Sequence, residues 1–336
     1  MSVTVSTSHI SRILSTNDTS ATGATSLPTV TYETSSELHS SIILGIAFFL
    51  TMLVALKRVL WSCSHREEEN AVVTAFYCSI LITSAIRAIW FLIPNAVLRD
   101  SFTPSAIMAF IHPQWVGTFF NDLLQCLGSI SFFSIFILIL TLWSSILEKY
   151  YHPDAIPDIP LKKFFYIMTY LLLFEALNCL GFLLQVYSSE CMILVNAVFV
   201  AVVSVICVIF TTFYSRRFRT VLKTLGVVNQ VSTDGQIQRI MWITWTGTLF
   251  FIFRAITETI FAGTLISFFL RNGKIDEAFN DSMWSDYVFV THWAELAILV
   301  LMLFILQNRF TTARNNYREV PETPENPKSP NVSSEV

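Results

Sequence analysis

Six ionisable side chains, Arg87, Asp122, Glu175, Arg254, Glu258 and Glu295, stand inside otherwise apolar stretches of the chain. A charge at a bilayer centre costs about 2.5–3.5 kcal/mol on insertion scales, so such groups turn inward and pair, or mark a pathway. Arg254 and Glu258 are four residues apart and can pair on one helix face. Arg87 then takes Asp122 or Glu295 as its partner. Four acids against two bases leave two carboxylates without a cation, and each must be protonated, reach water or bind a cation. The six read either as a polar network locking a helix bundle or as a proton site, a cation site or a cavity for a cationic ligand. His292 lies three residues before Glu295, but the other histidines fall in loops or tails. No zinc-type spacing, Gly-rich phosphate loop, Ser-centred elbow or Cys/His pairing occurs. No catalytic residue, metal ligand or cofactor is expected, and the chain is not read as an enzyme.

The elements that must position these groups follow from composition. The chain has 336 residues, 53% of them apolar and 13% charged, about half the charge of a soluble protein. A net charge of −3 argues against a nucleic-acid partner, and 29 Phe with eight Trp leave no room for a disordered chain. Seven apolar stretches approach or exceed the roughly 20 residues a bilayer requires: 38–56, 71–95, 115–143, 164–187, 192–214, 240–269 and 286–306. Each is rich in Phe, Leu, Ile and Val all round, without the polar stripe of a surface helix. The fold class is therefore an all-α membrane protein, a seven-transmembrane helix bundle over residues 38–310. Residues 1–37 and 311–336 are expected to be disordered tails. At 1.5 Å per residue the six charges lie roughly 10–22 Å from one boundary, in one slab of the bundle.

Orientation comes from the basic residues: 15 of 21 fall on one set of connections. Cytoplasmic loops attract that excess, so the amino terminus is expected to be outside or lumenal and the carboxyl terminus cytoplasmic. Trp61, Trp143 and Trp242 are expected near inner boundaries, with Trp115 and Trp284 near outer ones. The first 38 residues lack an apolar h-region, so the first helix is expected to act as an uncleaved anchor. Asn17 and Asn280 open sequons on the expected lumenal side and are candidate glycosylation sites. Arg216, Arg217, Arg219 and Lys223, interleaved with Phe218 and Leu222, read as helix five extended along the inner surface, a lipid or partner contact. Tyr317-Arg318-Glu319-Val320 fits a Tyr-x-x-apolar sorting signal, with Tyr317 and Val320 as its reading positions. Arg-Ala-Ile recurs at 87–89 and 254–256, the trace of a parallel repeat.

The rhodopsin-like receptor signatures are absent: helix three ends Trp143-Ser144-Ser145-Ile146 and helix seven Leu303-Phe304-Ile305-Leu306. Four other patterns occur in order. They are Ala85-Ile86-Arg87-Ala88-Ile89-Trp90-Phe91; Phe132-Phe133-Ser134 through Leu138, Leu140 and Trp143; Phe251-Ile252-Phe253-Arg254; and Glu295-Leu296 through Leu303-Phe304-Ile305-Leu306. On these the chain, over about residues 40–310, resembles the plant tobamovirus-multiplication proteins and their animal relatives, the lysosomal orphan-receptor-like seven-helix proteins. It departs from that pattern at Cys126, where an Asp is expected and Asp122 stands one turn earlier, and at Ser145 and Ile298. The resemblance implies a vacuolar, lysosomal or other endomembrane location rather than the plasma membrane. It also implies a regulator or scaffold that recruits cytosolic partners, among them small GTPases of nutrient signalling and trafficking factors. A divergent G-protein-coupled-receptor-like signalling protein and a proton- or cation-linked transporter stand as the alternatives.

Overall fold

The computed structural model describes residues 29–32, 35–64, 71–94, 96–99, 113–152, 160–229, 234–273 and 281–318. Side chains are described within these except at 32, 35–37, 99, 225–229, 234, 236, 239, 281–282 and 306–318. Seven helices carry the apolar stretches: α1 (Ser35–Ser64), α2 (Ala71–Leu92), α3 (Gln114–Tyr151), α4 (Pro160–Leu183), α5 (Ser189–Asn229), α6 (Asp234–Asn272) and α7 (Asp281–Arg318). All seven are long and apolar enough to cross a membrane, the architecture of an integral multi-pass protein. Helices are the physical outcome because lipid offers no partner to backbone N–H and C=O groups, which must be satisfied within the segment.

The 41 residues of α5 exceed a 30 Å hydrocarbon core by about half their length. Arg216, Arg217, Arg219 and Lys223 lie on that overhang, which is helical as the interleaved pattern predicts. α7 likewise continues to Arg318, past the boundary at 310, so the first turns of the expected tail are helix. Tyr317 lies on this extension, whereas Asn17, Asn280 and Val320 lie outside the described residues.

The helices form a closed ring with α3 drawn inward. α1 packs on α2 and α7, α2 on α3, α3 on α4 and α5, α4 on α5, α5 on α6, and α6 on α7. Most of the α3 span is buried, whereas α4, which packs chiefly on α3 and α5, leaves most of its span exposed. Between α3 and α6 lies an aromatic belt. Phe132 meets Phe250 at 4.7 Å between centroids, Phe133 meets Phe251 at 5.5 Å, and Phe136 meets Phe251 edge-on at 4.5 Å. Gly247 admits that approach, since a Cβ there would stand 2.8 Å from the Phe136 ring. Hydroxyl pairs tie neighbouring helices at the basic end: Ser62 with Thr74 across α1 and α2, and Ser215 with Thr244 across α5 and α6.

One expectation requires correction. Residues 29–32, assigned to a disordered tail, form strand β1 (Thr29–Tyr32), antiparallel to β2 (Ala96–Arg99), with Thr29 opposite Arg99. β2 sits on the end of the bundle opposite the basic one, where buried Leu98 packs with Trp115, Phe182 and Met192. Four residues of β-branched and aromatic type are too short a signal to read without their partner strand. Trp115, Trp143 and Trp284, expected near span boundaries, pack against neighbouring helices and are buried, whereas Trp61 and Trp242 are exposed. Trp143 stacks on Phe218 at 6.0 Å and 16°.

Candidate functional site: an intramembrane ion network and an apolar cavity

The six buried charges separate into two groups. Arg87, Arg254, Glu258 and Glu295 form one network joining α2, α6 and α7 to α3. Glu295 Oε1 accepts from Arg87 Nη2 at 2.8 Å and from Arg254 Nη1 at 2.7 Å. Arg87 Nε lies 2.8 Å from Glu295 Oε2 as an ion contact without hydrogen-bond alignment. The local pair foreseen from spacing is also present, with Arg254 Nε 2.8 Å from Glu258 Oε1. Tyr287 donates its hydroxyl to Glu258, whose oxygens lie 2.9 and 3.0 Å away. Arg87 is fully buried, and Arg254, Glu258 and Glu295 nearly so.

α3 contributes acceptors and space rather than charge. Ser129 Oγ accepts from Arg87 at 3.1 Å and from Arg254 at 3.3 Å, and the Gln125 carbonyl accepts from Arg87 at 3.1 Å. A Cβ at Gly128 would stand 2.6 Å from Arg87 Nη1, so the guanidinium lies directly on the glycine. The two Arg-Ala-Ile triplets thus send their arginines to the same carboxylate oxygen and the same serine. Two bases and two acids leave this network formally neutral, which is how a buried ionic cluster avoids an uncompensated charge. His292 takes no part in it through hydrogen bonds: its Nδ1 lies 2.7 Å from the Val288 carbonyl, and its ring stacks on Trp90 at 4.9 Å.

Asp122 and Glu175 stand apart from the arginines, correcting the expectation of a single six-membered network and of Asp122 as a partner for Arg87. Asp122 Oδ2 accepts from Ser189 on α5 at 3.2 Å. Glu175 Oε1 accepts a long 3.4 Å bond from Asn178, and the Cys179 thiol lies 3.8 Å from it. The second oxygens of the two carboxylates, Asp122 Oδ1 and Glu175 Oε2, are buried without a hydrogen-bond partner. Tyr187 closes the group, its hydroxyl 2.5 Å from the Asn178 carbonyl and 2.6 Å from Asn178 Oδ1. Among the described residues no cluster of His, Cys, Asp or Glu has metal-binding geometry.

On the other side of the aromatic belt, at the basic end, α2, α3, α5, α6 and α7 enclose a cavity of about 320 Å³. All of its lining residues are apolar. Buried Leu138 and Met302 form its floor, and half-buried Val72, Leu222 and Ile305 its mouth. No single segment carries a pattern that marks this space, because five helices contribute its lining. Arg219 and Lys223 follow the cavity-lining Phe218 and Leu222 in sequence, about 100° round the helix from them. Arg217 turns the other way, its guanidinium 4.4 Å over the Phe213 ring. Glu148 is the only carboxylate among the described side chains of this end, and Lys163 holds it at 2.5 Å. No protein-family model matches the chain, and neither does any curated protein or solved structure.

Proposed function

We propose that this chain is a multispanning endomembrane regulator or scaffold that recruits cytosolic proteins, of small-GTPase or membrane-trafficking type, to its basic end. The observation that carries the reading is the apolar cavity at the end where the Lys and Arg residues collect. Apolar surface rimmed by polar groups marks interaction sites, and the excess of basic residues favours that end as the cytoplasmic one. The neutral, closed ion network supports a structural part for Arg87, Arg254, Glu258 and Glu295, holding four helices in one register. No catalysis is assigned. The resemblance to the tobamovirus-multiplication proteins supports an endomembrane location.

A labelling enzyme fused after Val336 tests the reading in intact cells. Small GTPases or vesicle factors among the labelled neighbours are the expected result. Labelling of heterotrimeric G-protein subunits instead would move the chain to the receptor-like class, and labelling confined to lumenal proteins would reverse its orientation. A second reading, proton- or cation-linked transport, is favoured by Asp122 and Glu175, two buried carboxylates with no cationic partner among the described residues. Purified chain in liposomes carrying a pH gradient tests it: flux abolished by Asp122→Asn and Glu175→Gln supports transport, and no flux above empty liposomes removes it.

A further inference from the structure

We infer that the β1–β2 ribbon is a displaceable strap that controls the access of water to the Asp122–Glu175 group. The strap follows from the packing around that group; its part as a transport gate rests on the transport reading above.

The ribbon caps the end of the bundle nearest the two acids. β1 ends two residues short of α1, and β2 begins three residues after α2 and packs on α3 and α5. Val30 of β1 and Leu98 of β2 are partners in the register. Both pack in one apolar cluster with Trp115 and Phe119 of α3, Phe182 of α4 and Met192 of α5. The acidic group adjoins this cluster through shared residues. Tyr187 packs against the cluster and meets Asn178 at 2.5–2.6 Å, and the Met192 carbonyl accepts from Asn178 at 3.4 Å. Asn121, beside Asp122 in sequence, donates to the Ala96 carbonyl of β2 at 3.4 Å. Asp122 is eight residues from the start of α3 and Glu175 eight from the end of α4, about 12 Å along each helix. Those are the helix ends that the cluster covers, and Asp122, Glu175 and Asn178 are 1–3% exposed beneath it.

β1 is the loosely held part of the cap. It has four residues, pairs with one strand in a two-stranded sheet and packs chiefly on that strand. A two-stranded ribbon is marginal by itself in water, and elements held by so few contacts open well below the cost of global unfolding. Its departure takes from β2 the one strand it pairs with among the described residues, and from Leu98 its contact with Val30. Opening also has a gain. Asp122 Oδ1 and Glu175 Oε2, buried without a hydrogen-bond partner, become hydrated. The cap is therefore closed by apolar packing and opposed by the solvation of two carboxyl oxygens.

Native cysteines report the opening. Cys179 lies 3.8 Å from Glu175, Cys126 is one turn beyond Asp122 on α3, and Cys207 belongs to the main core of the bundle; all three are buried. The full chain in phosphatidylcholine nanodiscs is treated with a charged methanethiosulfonate reagent, and each cysteine is followed by peptide mass spectrometry. Val30→Asp places a carboxylate in the apolar cluster and should speed reaction at Cys126 and Cys179 at least tenfold. A disulfide between Thr29→Cys and Arg99→Cys, partners in the register, should slow both at least tenfold against the same protein reduced and desalted. Cys207 should not change in either case. Thr31→Pro, which takes an N–H from β1, replaces Val30→Asp if the latter fails to melt like the parent. Rates at Cys126 and Cys179 unmoved by both changes overturn the strap, and so do rates that rise and fall together with Cys207, since the whole bundle would then be opening. Proton flux in liposomes separates the two levels. Flux stopped by the disulfide and restored by reduction supports the gate, and flux that persists through the disulfide overturns it. A parent chain without flux removes transport, and the labelling alone then decides the strap.

Discussion

Replacing Glu295 by Gln keeps the shape of the side chain and removes the one charge that two guanidiniums share. Glu295 is 1% exposed and makes three contacts of 2.7–2.8 Å, two to Arg87 and one to Arg254. The network then holds two bases against Glu258 alone, a buried excess of one positive charge. Breaking a buried ion pair on one side costs about 3–5 kcal/mol. At roughly 2–4 °C per kcal/mol for a chain of 150–250 residues, the melting temperature should fall by about 6–20 °C. The lower half of that range is expected here, because helices that stay inserted in a detergent micelle find other partners for part of the lost contact. A thiol-reactive dye reads the unfolding, since Cys126 and Cys207 are buried free cysteines that react only when the bundle opens. Arg87→Gln combined with Glu295→Gln removes one base and one acid and leaves Arg254 facing Glu258, so the double variant should melt no lower than Glu295→Gln alone. Melting of Glu295→Gln within about 2 °C of the parent, less than 1 kcal/mol by the same scale, would refute the lock. So would additive losses in the double variant, because groups in one network couple by about 0.5–3 kcal/mol.

Two further changes probe the neighbourhood of the network and of the acidic cluster. Gly128→Ala puts a methyl 2.6 Å from a guanidinium that Glu295, Ser129 and Gln125 all hold, and overpacking of that kind costs about 1–3 kcal/mol. The loss should disappear against an Arg87→Gln background, and its persistence there in the same dye assay would place the clash elsewhere. Tyr187→Phe deletes a hydroxyl 2.5–2.6 Å from Asn178 at the turn between α4 and α5. It should cost about 0.5–1.5 kcal/mol and raise amide exchange around residues 178–192, with exchange in α6 and α7 unchanged.

How much of this site could be read beforehand depended on whether the information was local. Arg254 and Glu258 lie one turn apart, and helical geometry alone brings them together. Arg87 had two acids at similar depth, and depth cannot choose between them; the rotation of α3 and α7 about their axes does. Asp122 turns toward Ser189 on α5, while Glu295 meets Arg87, whose guanidinium lies in the space left by Gly128. The burial of Trp115, Trp143 and Trp284 was not legible for the same reason, since span boundaries locate a tryptophan along the membrane normal but not around the helix. Strand β1 was missed because its pairing residues lie 66 positions away, as between Thr31 and Val97.

The amino-acid sequence by itself determines the seven apolar spans, the basic end, the helical overhang of α5 and the presence of six charges within the spans. Each of these follows from residue type along one segment, where the cost of exposing backbone or charge to lipid leaves a single solution. Only the tertiary structure decides that four of those charges form one neutral network, that Asp122 and Glu175 stand apart without a base, and that residues of five helices line an apolar cavity at the basic end. Those features depend on how the helices are rotated and spaced against one another, which packing decides and no single segment encodes.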